Sequence, residues 1–216
     1  MKTTLFRTEW ILWLLAVAPA CYMLLNWSLV NETVVLRYGI DGKPEKWGSK
    51  NTLLWFIPLT SVLTYLLLLF IPVIDPRKRV QAMGKKYYFL RLLFMSALTV
   101  ILLLYIRSSI GPGLNFTDYL FPVLAISLIL LGNYLQSVKP NYFIGIRTPW
   151  ALHDDKNWLK THRFGSRLYI AGGLILLCGI YFFGKEIAVF YFSAVALLLF
   201  IPVVYSYIIY RKSQIK

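Results

Sequence analysis

Charge is scarce in this sequence: only 15% of its 216 residues are Asp, Glu, Lys or Arg, against 58% hydrophobic residues. Soluble domains average about 25% charged, so an ordinary water-soluble enzyme is excluded. Two cysteines cannot make a disulfide framework, and two histidines leave little for a metal centre. HExxH, GxSxG, Walker and GxGxxG patterns are all missing, so the chain is expected to have no catalytic activity and no cofactor.

What is abundant is long apolar sequence. A helix needs about 20 apolar residues to cross a hydrocarbon core, and six windows qualify: 9–30, 51–74, 88–106, 119–138, 168–184 and 187–210. In lipid each must satisfy its own backbone hydrogen bonds, and the alternating pattern of an outer-membrane barrel is missing. The expectation is an all-α membrane protein, a six-transmembrane-helix bundle. "AVAPAC" at 16–21 loosely resembles a cleavage site, but the apolar run continues through Leu25 and Ala18 stands where a lipobox has Leu; no cleavage is expected.

With the N-terminus cytoplasmic, seventeen of the 23 Lys and Arg fall in inner segments, which orients both termini inward. The formal charge of +14 then belongs beside spans, where membrane lipids account for it, and direct nucleic-acid binding is set aside. Ionisable residues stay at span ends (Glu9, Arg91, Arg107, Asp118, Glu186), so a proton relay has little support. Cys21 and Cys178 lie within spans and read as small packing residues.

Between the fourth and fifth spans lies "NYFIGIRTPWAL", 141–152, too apolar for a solvated loop and too rich in Pro and Gly for a helix. It is expected to fold back on the bundle, with Tyr142, Phe143, Ile144, Ile146 and Trp150 buried. Arg147 then needs a partner: a lipid phosphate, helix-end carbonyls, or Asp154 and Asp155. On the residues alone, a rigid staple and a docking surface both stay open. In "HDDKNWLKTH", His153 and His162 are nine apart, poor spacing for metal ligation. Asp154 and Asp155 fit an N-cap and a first-turn acid of an interfacial helix over 154–168. Lys156, Lys160, Arg163 and Arg167 share one stripe of that helix. Trp158, Thr161, His162, Gly165 and Tyr169 share the other side, where Trp158 is expected to anchor among headgroups. Gly165, Gly172 and Gly179, widened by Gly173, form a helix-packing seam.

Outside, the first loop (30–50) ends "YGIDGKPEKWGSK" and is long enough for compact structure; Gly42, Pro44 and Gly48 specify turns. The second outer loop is short and the third is little more than Lys185 and Glu186.

"GNYLQSVKPNYFIGIRTPWAL" followed by "WLKTHRFGSRLYIAGG" closely resembles the signature of the SdpI-type bacterial immunity proteins, and "DGKPEKWGSK" resembles the end of the domain that usually heads them. The resemblance implies a plasma-membrane protein that protects its cell against a secreted peptide toxin and that can also hold a cytosolic helix-turn-helix repressor at the membrane. Its domains would be 1–87, two helices with the outer loop, and 88–216, four helices with the signature connector 139–167. Its partner-binding residues would be Asn133, Tyr134, Lys139, Pro140, Asn141, Tyr142, Gly145, Arg147, Thr148, Pro149, Trp150, Trp158, His162 and Arg163. In the outer loop they would be Arg37, Gly42, Pro44, Trp47, Gly48, Ser49 and Lys50. The heading domain usually carries Pro-x-His where this chain has Val35, Leu36 and Arg37. A small channel, transporter or lipid-handling protein is the alternative.

Overall fold

The computed structural model is described for residues 2–39, 42–76, 78–111, 113–183 and 188–214. The third outer turn, at Lys185 and Glu186, lies outside these. Among the described residues six long α-helices and one short one predominate: α1 (Lys2–Leu25), α2 (Thr52–Ile74), α3 (Lys85–Ser108), α4 (Phe116–Leu135), α5 (Pro149–His153), α6 (Asp155–Phe183) and α7 (Ala188–Gln214). Five of them, α2, α3, α4, α6 and α7, are long and apolar enough to cross a membrane; the apolar part of α1, Glu9–Leu25, is shorter. The protein is a multi-pass membrane protein. Its large exposed side chains, such as Leu67, Val73, Ile175 and Leu197, belong against lipid. So do Cys21 and Cys178, which are exposed and unpaired rather than buried in packing.

The all-α expectation needs one correction. Residues Thr33–Tyr38 (β1) and Pro44–Ser49 (β2) form an antiparallel hairpin with an irregular register between Val35 and Tyr38. β-Branched Thr33, Val34 and Val35 favour extended chain, and Gly42, at φ +75°, makes the turn that lets Gly39 N–H reach the Lys43 carbonyl. Val34 is buried with Met23, Leu53, Ile57, Leu102 and Ile106, so the hairpin caps the ends of α1, α2 and α3. The Tyr105 hydroxyl donates to the Val35 carbonyl at 2.7 Å, and Tyr38 packs on Phe116 at the start of α4.

Opposite the hairpin, the α2–α3 loop and the α4–α5 connector pack together. Val80, Met83, Tyr87 and Leu90 share one apolar cluster with Val138, Ile144, Ala151 and Trp158. The Arg79 guanidinium donates to the Pro140 carbonyl at 2.9 Å. Near this connector end, Arg91 of α3 makes a two-pronged ion pair with Glu9 of α1 at 2.6 and 3.0 Å, and the Tyr65 hydroxyl of α2 donates to the same carboxylate. These two charges, each near the end of its span, thus join three helices.

Close backbone approach holds the later helices together. A Cβ at Gly132 of α4 would lie 3.0 Å or less from Tyr169 and Ile170 of α6, and one at Gly173 would lie 2.9 Å from the Ala125 carbonyl. Gly172 faces Leu198 of α7, and Gly165 faces Ile146, Leu135 and Pro202. Gly179 is half-buried farther along α6. The interfacial helix expected over 154–168 is not a separate element; it is the first part of the unbroken α6.

Candidate functional site: the connector between α4 and α6

Asn141 organises the connector. Its side chain is buried, and all four of its hydrogen-bonding positions are used. The amide donates to the carbonyls of Lys139 (2.8 Å) and Ile144 (3.0 Å), and its oxygen accepts from the N–H groups of Phe143 (2.9 Å) and Ile144 (2.7 Å). Pro140 fixes the entry of this loop, and Gly145, at φ +104°, turns its exit. A Cβ at Gly145 would lie 2.3 Å from His162 Nε2, so only glycine fits the approach.

His162 is the second organiser. Ile146 N–H donates to Nε2 at 3.2 Å, which makes Nε2 an unprotonated acceptor and assigns the ring proton to Nδ1, where it is donated to the Trp158 carbonyl at 2.9 Å. The imidazole stacks on the Trp158 indole, 4.0 Å between centroids. Trp158 itself is fully buried and donates Nε1–H to the Val138 carbonyl at 2.9 Å. The headgroup-anchor expectation is therefore corrected: an i, i+4 partnership with His162 turns this indole inward, onto the connector.

A third unit is a chain of buried polar side chains. Thr148 caps α5, accepting from Ala151 N–H at 3.2 Å. Ser206 of α7 donates to Asn157 Oδ1 at 2.9 Å, so the 2.7 Å contact between Thr148 and Ser206 has Thr148 as donor. Thr161 also donates to Asn157 Oδ1, and Asn157 returns an amide hydrogen to the Ser206 carbonyl. Nearby, Gln136 donates to Ser166 at 2.8 Å. Connector, α6 and α7 are thus joined by side chains with consistent donor and acceptor roles.

The solvent face differs. Arg147 is exposed and donates to the Tyr142 carbonyl at 2.7 Å, a loop carbonyl rather than the acids at 154 and 155. Tyr142 is exposed rather than buried, Phe143 and Trp150 are half-buried, and Trp150 stacks on Tyr210 of α7 and meets Tyr207 edge to face. Asp154 accepts from Lys156 N–H at 2.8 Å as an N-cap does, and Lys156, Lys160, Arg163 and Arg167 all point outward. Lys139, Gly145 and Pro149 are exposed at the same surface, while Asn133 lies on the α3–α4 side and Tyr134, beside it, packs against the connector's apolar cluster.

The outer-loop residues are brought together on the hairpin, far from the connector. Arg37 pairs with Glu45 at 2.9 Å; Lys50 pairs with Glu32 at 2.7 Å and sits over the Trp27 ring. Trp47, Pro44 and Ser49 are exposed, and Gly48 leaves room for Leu36. Among the described residues no cluster of His, Cys, Asp or Glu could hold a metal ion.

A helical membrane protein in which the irregular segment between α4 and α6 is fixed by Asn141, His162 and the Asn157–Ser206 network is the class these features define. Residues 137–206 match the SdpI/YfhL protein family. The chain is also 29% identical, over 86% of its length and 91% of the relative's, to a Bacillus subtilis (strain 168) protein named Immunity protein SdpI. No solved structure matches.

Sequence reasoning named Thr161 and His162 but missed Asn157, Ser206, Gln136 and Ser166. Asn157 sits at the helical spacing of the buried face (157, 158, 161, 165), which is the signal that marks it.

Proposed function

We propose that the chain is an immunity protein of the bacterial plasma membrane, giving resistance to a secreted antimicrobial peptide toxin. The carrying observation is that the kinship with Immunity protein SdpI is not confined to the connector but extends across 86% of this chain. We infer six spans with both termini cytoplasmic. The apolar part of α1, Glu9–Leu25, covers about 26 Å at 1.5 Å per residue, and the helical turn before it brings the rod to the roughly 30 Å of a hydrocarbon core. The excess of Lys and Arg at the connector end supports the orientation. In this reading the hairpin faces the toxin, and the exposed connector face, from Tyr142 and Arg147 to Arg163, meets membrane lipids and a cytosolic helix-turn-helix repressor.

Expression in a toxin-sensitive bacterium tests the proposal. Protected growth on exposure to peptide toxins is expected, and a reporter under the repressor should respond to toxin only when the protein is present. Sensitivity unchanged from the empty vector, with the protein at normal abundance in the membrane, refutes the immunity reading. Protection without any reporter response refutes the repressor role alone.

A further inference from the structure

A groove of about 670 Å³ runs between α3 and α4 at the connector end, on a side of the molecule that the connector does not use. Lys85 and Lys86 stand at its mouth, with Asn133 of α4 and Ser137 just beyond its end across from them. Neither lysine has an ion-pair partner among the described residues, and no carboxylate lines the groove. Tyr134, on its wall, keeps a buried hydroxyl without a hydrogen-bond partner.

Farther from the mouth the lining is apolar except for Ser96 and Ser127, whose hydroxyls donate to the carbonyls of Leu93 and Val123 within their own helices. The groove shares Leu93, Ser96 and Leu130 with a narrower cleft of about 210 Å³ that continues to Val100 and Ile126. From Lys86 to Val100 this track follows α3 for about 21 Å at 1.5 Å per residue, longer than the roughly 15 Å half-thickness of a hydrocarbon core. Phe89, Leu130, Ile126 and Val100 are all at least 42% exposed, so the track opens sideways toward the bilayer. A cationic, hydrogen-bonding head end and an apolar channel of acyl-chain length define an amphiphile with an anionic head.

We propose that the α3–α4 groove is a binding site for one anionic phospholipid, its phosphate between Lys85 and Lys86 and an acyl chain along Leu93, Ser96 and Leu130. Basic pockets between spanning helices on the cytoplasmic side are suited to such headgroups. The site is independent of what the connector or hairpin recognises; the proposed orientation decides only which leaflet supplies the lipid.

The test is native mass spectrometry of the full-length protein, extracted in mild detergent and equilibrated with equal amounts of phosphatidylglycerol and phosphatidylethanolamine. At about a factor of five per lysine near a headgroup, one retained phosphatidylglycerol is expected, its retention falling about 25-fold in Lys85→Gln/Lys86→Gln. Leu130→Trp, which fills the apolar track and leaves both charges, should also lose it, while Arg211→Gln/Lys212→Gln, at the exposed end of α7, should retain it. Equal retention of the two lipids by the native protein overturns the proposal. Undiminished retention in the Lys85/Lys86 variant, or an equal loss in the Arg211/Lys212 control, does so too. Should Leu130→Trp fail to elute as folded protein, the two paired-charge variants decide the matter.

Discussion

Replacing Asn141 by alanine removes four hydrogen bonds at once, but their loss is not uniform. Lys139 is exposed and Phe143 half-buried, so their backbone groups can turn to water. Ile144 is buried, and both its N–H and its carbonyl would lose their partners. A buried group left unsatisfied costs about 1–3 kcal/mol, so the two together cost about 2–6 kcal/mol, with loop relaxation favouring about 3. Asn141→Asp separates the contributions: it keeps an acceptor for the two N–H groups but sets a carboxylate against the carbonyls of Lys139 and Ile144, and should be at least as destabilising. Equilibrium unfolding in mixed micelles, followed by tryptophan fluorescence, measures both, since Trp158 lies in the same cluster as Ile144. An Asn141→Ala protein within 1 kcal/mol of the native one would refute the idea that this side chain holds the connector.

Gly145→Ala should cost about 1–3 kcal/mol in backbone strain alone. Its Cβ meets His162, so the Gly145→Ala/His162→Ala double variant should lose less than the sum of the singles; strict additivity contradicts the close approach. Glu9→Leu leaves Arg91 buried and unpaired and should cost about 3 kcal/mol, most of it recovered in Glu9→Leu/Arg91→Leu. A double variant as unstable as the single one would show that the pair itself, not the stranded charge, matters. Arg147→Ala, which removes one exposed bond, should change stability by less than about 0.5 kcal/mol. If it lowers abundance as well as protection, Arg147 is structural and not part of a recognition face.

Legibility in the sequence follows the range of the forces involved. Apolar windows mark the spans because lipid solvates every residue of a span alike. The N-cap at Asp154 and the outward stripe from Lys156 to Arg167 are local, set within a few turns of one helix. Trp158 misleads because an aromatic near a span end ordinarily reads as an anchor; its helical neighbours Thr161, His162 and Gly165 carry the contrary signal. The hairpin was also readable, since Thr33, Val34 and Val35 precede a glycine-rich turn. Asn157 with Ser206 and Glu9 with Arg91 are different: their partners are 49 and 82 residues away. A lone Ser or Glu near a span end says nothing of which helix will face it.

The connector's inner side bears on how any message could leave the membrane. Asn141 is saturated and His162 is bonded at both nitrogens, while Thr148, Ser206 and Asn157 form a consistent donor sequence. Unfolding or reshaping this segment on ligand binding would break several buried bonds together, a cost few contacts could offset. It is better suited to move as a body. α6 runs unbroken for 29 residues into the network, and α7 enters it through Ser206, so a small shift of these two rods reaches Thr148 directly. The exposed Tyr142–Arg147 turn and the basic stripe of α6 would then be displaced together with unchanged internal geometry. For the connector role proposed above, recognition by position rather than by shape is the mode this architecture favours.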